Sequence, residues 1–99
     1  MTELTGKRVL ITGSKGGIGF AIAKKFAEAG AELVLHARNE SPEFIEAKTK
    51  LSKLSMADIS GVFGDFSNQD ACKQIFETLI KDEKTVDVLV NNAGITKDN

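Results

Sequence analysis

A glycine-rich turn between a strand pattern and a helix pattern limits the folds that this chain can adopt. Val9, Leu10 and Ile11 form an apolar run typical of a strand buried on both faces. The segment 12–19, with the sequence TGSKGGIG, follows directly. Backbone N–H groups at such a helix start face an anion, and the helix dipole strengthens the attraction. The order predicts a site for a dinucleotide pyrophosphate, with a tight turn that binds no ligand as the competing interpretation.

The rest of the chain alternates strand patterns with helix patterns. Strands that alternate with helices favour right-handed β-α-β units and a parallel sheet. The predicted fold class is α/β, a three-layer Rossmann-type parallel sheet of which the chain holds the first half, with strand order 3-2-1-4. Ligands of such sheets bind beyond the carboxyl ends of the strands, near the switch point between the first and fourth strands. The four strands are predicted over 8–12, 32–37, 57–64 and 86–90.

The helix patterns carry their own boundary signals. The first helix is predicted over 18–29, with Ile18, Ile22, Phe26 and Ala29 at helical spacing and a glycine cap after them. The second opens at Pro42, after Ser41 as its N-cap. The third follows the segment SNQD at 67–70, which resembles a capping box. Its predicted apolar face consists of Cys72, Ile75, Phe76, Leu79 and Ile80.

Composition narrows the class of protein. A chain of 99 residues forms one domain at most. The net charge of −1 argues against a nucleic-acid or membrane surface, both of which favour an excess of Lys and Arg. The single cysteine, Cys72, has no partner for an internal disulfide and is expected to be a small buried side chain, and no Cys/His cluster indicates a metal. These observations favour a cytoplasmic protein with no metal site.

Two motifs together resemble those of the short-chain dehydrogenase/reductase family. The segment 12–19 matches the family's T-G-x-x-x-G-x-G turn, and the segment 91–94 matches its N-N-A-G motif after the fourth strand. Asp65 stands where the family places an aspartate after the third strand. The glycines alone also fit the G-x-x-G-x-x-G pattern of the extended branch, but N-N-A-G favours the single-domain branch. Within that branch, the segment 91–99 looks most like bacterial 3-oxoacyl-[acyl carrier protein] reductases.

The resemblance implies which residues bind the cofactor. Gly13, Gly17 and Gly19 would shape the turn, and the amide of Ile18 would donate to the pyrophosphate. The remaining positions that it implies follow the third and fourth strands, namely Asp65, Asn91, Ala93 and Gly94.

Asp65 and Asn92, in the loops after the third and fourth strands, have structural interpretations as well. Asp65 would accept from the adenine amino group, or it is a solvated carboxylate in a turn before a helix. The Asn91 main chain would line the adenosine ribose, and the segment 93–95 would lead toward the nicotinamide half. Asn92 either ties the loops to the sheet or binds the cofactor directly.

The end of the second strand predicts the choice of cofactor. NAD-specific sites place an acidic residue there, whereas NADP sites use a cation for the 2′-phosphate. Ala37 occupies the acidic position and Arg38 follows it, with no carboxylate expected nearby to oppose a phosphate. Ser14 and Lys15 lie across the same predicted pocket. The sequence therefore favours NADP(H), with Arg38 as a solvated loop residue being the alternative, and the role of Lys15 stays open because the family's usual cation position is Gly16 here.

His36, at the end of the second strand, is expected to be a packed strand residue rather than a catalyst. The family's catalytic Ser, Tyr and Lys follow the fourth strand, and this sequence contains no Tyr. The resemblance therefore implies that residues 1–99 are a partial NAD(P)-binding Rossmann domain, truncated before the catalytic region, with no catalytic residue and no activity of its own.

The resemblance also implies what the longer parent protein does. The parent would be an NADPH-dependent carbonyl reductase acting on an acyl carrier protein thioester in fatty acid synthesis. An uncovered sheet edge and face predict a homo-oligomer. The alternative function is a free-standing nucleotide-binding or interaction module without catalysis.

Overall fold

The computed structural model describes residues 3–13, 17–81 and 85–92. Strands and helices alternate throughout these residues, as the sequence pattern predicts. In chain order the elements are β1 (Arg8–Ile11), α1 (Gly17–Glu28), β2 (Glu32–Ala37), α2 (Pro42–Ser52), β3 (Ile59–Phe63), α3 (Gln69–Lys81) and β4 (Val88–Val90).

The strands form one parallel sheet with the order β3-β2-β1-β4. β1 lies between its two neighbours, so that Val9 is in register with Leu33 of β2 and with Val88 of β4. The predicted α/β Rossmann-type sheet with order 3-2-1-4 is confirmed. β4 is an edge strand of the described sheet, and its junction with β1 is the switch point of the topology.

Each face of the sheet carries its own apolar cluster, because successive side chains of a strand point to opposite faces. One face packs against α1 and α2, and we refer to it as the α1–α2 face. Its buried residues include Val9, Ile11, Leu33, Leu35, Phe44 and Leu51. The other face packs against α3, and we refer to it as the α3 face. Its buried residues are Leu10, Val34, Val62, Ile75 and Leu79.

Local capping explains where α2 and α3 begin. The Ser41 hydroxyl accepts a hydrogen bond from the amide of Phe44 at 3.2 Å, and Pro42 occupies the first helical position, which confirms the predicted start of α2. α3 differs from the prediction by one residue. Its cap is Asn68, whose Oδ1 accepts from the amide of Ala71 at 3.0 Å. The Ser67 hydroxyl donates instead to the carboxylate of Asp65, which precedes the helix, so the predicted capping box is not formed.

The buried stripe of α1 lies one residue later than the large apolar residues suggest. Gly19, Ala23 and Ala27 are the buried positions, whereas Ile18 is 60% exposed. Small residues face the sheet because they allow the helix axis to approach the strands closely. The bulky Phe26 packs against the rim of the cluster and is partly buried.

Several predicted boundaries extend too far. β1 ends at Ile11, β3 covers only Ile59–Phe63, and β4 covers only Val88–Val90, since a strand ends where its hydrogen-bonded partner ends. On α3, Phe76 and Ile80 remain 47% and 71% exposed, and Cys72 is only partly buried. In the described parts of the chain, no helix has the length and apolar character that crossing a membrane requires.

Candidate functional site

The carboxyl ends of the four parallel strands bring the candidate residues to one edge of the sheet. Gly13 follows β1, Arg38 follows β2, Asp65 follows β3, and the pair at 91–92 follows β4. Hydrogen bonds between these loops show that they are neighbours. The convergence that the strand pattern predicts is therefore found for the described residues.

Gly13 is held by side chains from both strands that flank β1. Its amide points at Nδ1 of His36 on β2, with 3.4 Å between the nitrogen atoms. Its carbonyl accepts from the Asn92 amide nitrogen, after β4, at 3.0 Å. Gly13 has a φ of 63°, in the left-handed region that favours glycine. The entry to the turn is thus fixed on two sides.

Thr12 and Asn92 join the ends of β1 and β4. The Thr12 hydroxyl oxygen accepts from the amide of Asn92 at 2.7 Å, and it lies 3.3 Å from Oδ1 of Asn91 as a donor. Asn92 is 4% exposed, and its Oδ1 has no hydrogen-bond partner within residues 3–13, 17–81 and 85–92. The Asn92 amide therefore ties the loop to the sheet, and a direct contact with a cofactor stays a prediction.

The start of α1 lies against this framework. A Cβ atom added to Gly19 would overlap the Gly13 carbonyl and would come within 2.7 Å of the Asn92 amide nitrogen, so only glycine allows this approach. Gly17 and Ile18, in the first turn, are exposed, and that turn contains no acidic residue. The first backbone N–H groups of a helix have no partner within that helix, so those of this turn can bind an anion.

Arg38 and Asp65 form an ion pair across the loops after β2 and β3. Their side chains approach to 3.3 Å while Arg38 remains 75% exposed. The expectation that no carboxylate lies near Arg38 is wrong. The two residues are 27 positions apart in sequence, so no local pattern could reveal the contact.

The Asp65 carboxylate is oriented by its own loop. Its Oδ1 accepts from the Ser67 hydroxyl at 2.7 Å and from the Ser67 amide at 2.9 Å. These bonds, and then the charge of Arg38, lower the pKa of Asp65 below its usual value. The group is therefore an anion at neutral pH, and its Oδ2 faces Arg38.

His36 is buried, as expected for a packed strand residue, but it is also part of the site's framework. Its ring stacks on Phe66 with centroids 4.1 Å apart, and Nε2 lies 2.7 Å from the Gly64 carbonyl oxygen. Burial lowers the pKa of His36, while the Gly64 contact and the charge of Asp65 partly oppose that shift. A polar residue at the end of an apolar strand needs buried partners, and that signal could have indicated the contacts.

Four predicted site residues, Ser14, Lys15, Ala93 and Gly94, lie outside the described residues. Among the residues that the structure describes, no group of three or more His, Cys, Asp or Glu side chains could hold a metal ion. The described site consists of a glycine turn, an exposed helix start and one ion pair.

Two curated relatives are similar to this chain in sequence. Glucose 1-dehydrogenase of Gluconobacter oxydans (strain 621H) is 43% identical over 92 residues, which cover 93% of this chain and 34% of the relative. A 3-oxoacyl-[acyl-carrier-protein] reductase of Chlamydia trachomatis is 38% identical over 95 residues, covering 96% of this chain and 38% of that protein. The chain therefore spans only about a third of the length of these relatives.

Solved structures with the same fold carry nicotinamide cofactors. The L-sorbose reductase of Gluconobacter frateurii, complexed with NADPH and L-sorbose, matches with a TM-score of 0.84 and 36% identity, over 95% of this chain and 36% of that one. An NADH-dependent reductase complexed with NAD matches with a TM-score of 0.79 and 32% identity, over 91% of this chain and 37% of that one.

A model of a whole family matches the chain as well. The family model for short chain dehydrogenases matches residues 7–99, which include every element of the sheet and both sequence motifs. The chain belongs to the short-chain dehydrogenase family.

Proposed function

We propose that this chain forms the cofactor-binding part of an NADP(H)-dependent reductase that acts on a carbonyl group. The observation that carries the proposal is the position of Arg38. It lies at the carboxyl end of β2, at the same edge of the sheet as the glycine turn, with three quarters of its side chain exposed. Ala37 leaves no carboxylate at the position that NAD-specific sites use. A guanidinium there can bind a 2′-phosphate through two hydrogen bonds.

The residues around the turn fit a dinucleotide pyrophosphate. Gly19 lets α1 approach the turn, and the amide of Ile18 lies in an exposed first turn that lacks acidic side chains. When bound, the cofactor supplies the hydride that reduces the carbonyl carbon. The cofactor-binding residues proposed here are Gly13, Ser14, Lys15, Gly17, Ile18, Gly19, Arg38, Asp65, Asn91, Ala93 and Gly94.

The ion pair suggests how the adenosine end is received. Arg38 and Asp65 bind each other in the structure. In the proposed complex Arg38 turns to the 2′-phosphate, which releases Oδ2 of Asp65 to accept from the adenine amino group. One exchange of partners would then serve both contacts.

Binding measurements test the choice of cofactor. Arg38→Ala should weaken NADPH binding about 10- to 100-fold, the effect of losing hydrogen bonds between charged groups, and should leave NADH binding nearly unchanged. Lys50→Ala is the matched control, because it removes an exposed charge on α2, far from the strand ends. The readout is the fluorescence of the reduced cofactor. Equal losses for NADPH and NADH would contradict the NADP(H) assignment.

The proposed substrate of the longer parent protein is the β-carbonyl of an acyl carrier protein thioester. The likeness to the chlamydial reductase supports this assignment. Other relatives are named for other substrates, as glucose 1-dehydrogenase is, so the substrate is a more specific proposal than the cofactor. Residues 1–99 are proposed to be a partial NAD(P)-binding domain without the catalytic Ser, Tyr and Lys. We expect no NADPH-dependent turnover of an acetoacetyl thioester by the 99-residue chain, and turnover above the blank would contradict that.

A nucleotide-binding module without catalysis is the second candidate. The exposed helix start without acidic residues and the neighbouring Arg38–Asp65 ion pair are features that can bind a nucleotide without any catalysis. A gene whose reading frame continues beyond Asn99 into an Asn, a Ser and a Tyr-x-x-x-Lys motif would favour the reductase, and a stop codon there would favour the module.

A further inference from the structure

His36 links the loops of three neighbouring strands. It lies at the end of β2 and on the α3 face, where its ring stacks on Phe66. One ring nitrogen meets the amide of Gly13 after β1, and the other meets the carbonyl of Gly64 after β3. These two contacts span residues that are 23 and 28 positions from His36 in sequence. The imidazole therefore links Gly13 to Gly64 across the end of β2.

The two contacts require one particular form of the ring. The Gly64 carbonyl can only accept, so Nε2 must carry a proton and donate to it. The Gly13 amide can only donate, so Nδ1 must be unprotonated and accept from it. Both conditions hold in the neutral ring with its proton on Nε2. They fail in the doubly protonated ring, because an N–H at Nδ1 would face the N–H of Gly13.

We infer that neutral His36 is a positioning residue for the dinucleotide site, and that its protonation displaces Gly13 and weakens cofactor binding. This inference rests on the proposed function. His36 would touch no cofactor atom; it acts through Gly13, which leads into the turn that receives the pyrophosphate. The opposite side of Gly13 stays held by Asn92, so protonation loosens one of two restraints.

The charged groups around the ring in the described structure are few. Asp65 lies beyond β3 and favours the protonated ring through its charge, and Arg38 on the β2 side neutralises part of that influence through their ion pair. Phe66 and the Gly13 and Gly64 backbone contact the ring as well. Burial disfavours the charged ring and lowers its pKa, in agreement with the neutral form that the hydrogen bonds require.

Nuclear magnetic resonance can follow this residue without ambiguity, because His36 is the only histidine of the sequence. We would titrate the purified 99-residue chain from about pH 8 to about pH 5, across the range in which histidine changes charge, and record the imidazole and the Gly13 amide together. The inference requires the Gly13 amide resonance to shift with the midpoint of the imidazole titration. A Gly13 amide resonance that does not shift at this midpoint would overturn the inference.

Binding of NADP⁺ is measured by calorimetry over the same pH range, with two variants. His36→Asn keeps an acceptor near the position of Nδ1 but has no group that titrates here. His36→Phe keeps an aromatic ring for Phe66 but loses both hydrogen bonds. The affinity of each variant relative to the unmodified chain is compared at every pH, because the titration of the ligand's own phosphate cancels in that ratio.

The unmodified chain should lose affinity relative to His36→Asn below the pKa of His36, by up to about tenfold per pH unit if the protonated form does not bind. His36→Phe should bind weakly at every pH, even if it folds normally by circular dichroism. Affinity that keeps a constant ratio to His36→Asn would overturn the role of His36 alone. Absence of binding at any pH by the unmodified chain would overturn the proposed function and, with it, this role.

Discussion

The two faces of the sheet are covered to different extents. On the α1–α2 face, two helices bury ten apolar residues together with β1 and β2. On the α3 face, one helix buries five. Leu89 of β4 is in register with Leu10, so it lies on the α3 face, yet it is 59% exposed. Parallel sheets are normally covered on both faces, and among the described residues most of the buried apolar side chains lie around α1 and α2.

The largest expected difference between the faces comes from matched helix substitutions. Leu51 on α2 is fully buried, and Leu79 on α3 is 4% exposed. Leu51→Ala should lower the free energy of unfolding by about 3–5 kcal/mol, and Leu79→Ala by about 2–3 kcal/mol, because the cavity beside a fully enclosed site relaxes less. Urea unfolding followed by circular dichroism measures both. Equal losses would show that the two faces contribute alike.

Close packing on the α1–α2 face predicts a cost for adding a single methyl group. A Cβ atom on Gly61 would lie 2.9 Å from the Phe44 ring, which is itself buried and packed edge-to-face on Phe63. Gly61→Ala should therefore destabilise the chain by about 1–3 kcal/mol. Adding Phe44→Leu should cost less in this background than in the unmodified chain. Independent effects of the two substitutions in a double-mutant cycle would contradict direct overlap.

On the α3 face, burial of His36 predicts a loss of stability in mild acid. Its pKa is lower in the folded chain than the ordinary value of 6.5, so the unfolded state binds the proton first. The contribution of neutral His36 to the free energy of unfolding is therefore complete above pH 6.5 and decreases as the pH falls toward the pKa of the folded chain. Asp65 acts in a separate window below pH 3.8, its ordinary pKa. The interactions that lower the pKa of Asp65 in the folded chain are lost there as the carboxylate becomes protonated. Thermal unfolding of the unmodified chain and of His36→Asn, measured across pH, should show a different slope of stability against pH in the upper window only.

The smallest effect on stability is expected at the exposed end of the α3 face. Leu89→Lys should change the free energy of unfolding by no more than about 0.5 kcal/mol, because the side chain is mostly exposed. The same substitution should weaken the proposed self-association, since a charge on an edge strand opposes pairing with a second copy. Sedimentation velocity measures this. Gln74→Lys, at an exposed position of α3, is the control for one added positive charge, and a monomeric unmodified chain would contradict the predicted self-association.

Local signals in the sequence predict much of this fold. The bounds of β2 and the cap of α2 follow from a continuous apolar run and from the Ser41–Pro42 pair, both of which act within a few residues. The meeting of the strand ends follows from the topology of parallel β-α-β units. The buried stripe of α1 does not follow, because helix periodicity marks large apolar residues while close helix packing selects small ones.

Contacts inside the site are harder to predict from the sequence. The pairs Arg38–Asp65 and Gly13–His36 join loops of different strands, and they depend on side-chain directions that no local pattern contains. The motifs indicate which loops form the site, and the structure adds which side chains hold those loops together. The roles of the motif residues in cofactor binding stay predictions until binding is measured.

The position of β1 in the sheet also has a consequence for the order in which the site assembles. Gly13 and His36 are separated by 23 residues, whereas Thr12 and Asn92 are separated by 80. Loop-closure entropy makes the longer connection costlier by about 1 kcal/mol, and Asn92 leaves the ribosome after His36. The β2 side of the turn can therefore form while the chain is still being synthesised. Gly13 becomes held on both sides only when β4 joins the sheet, so the β4 side of the site forms after the β2 side.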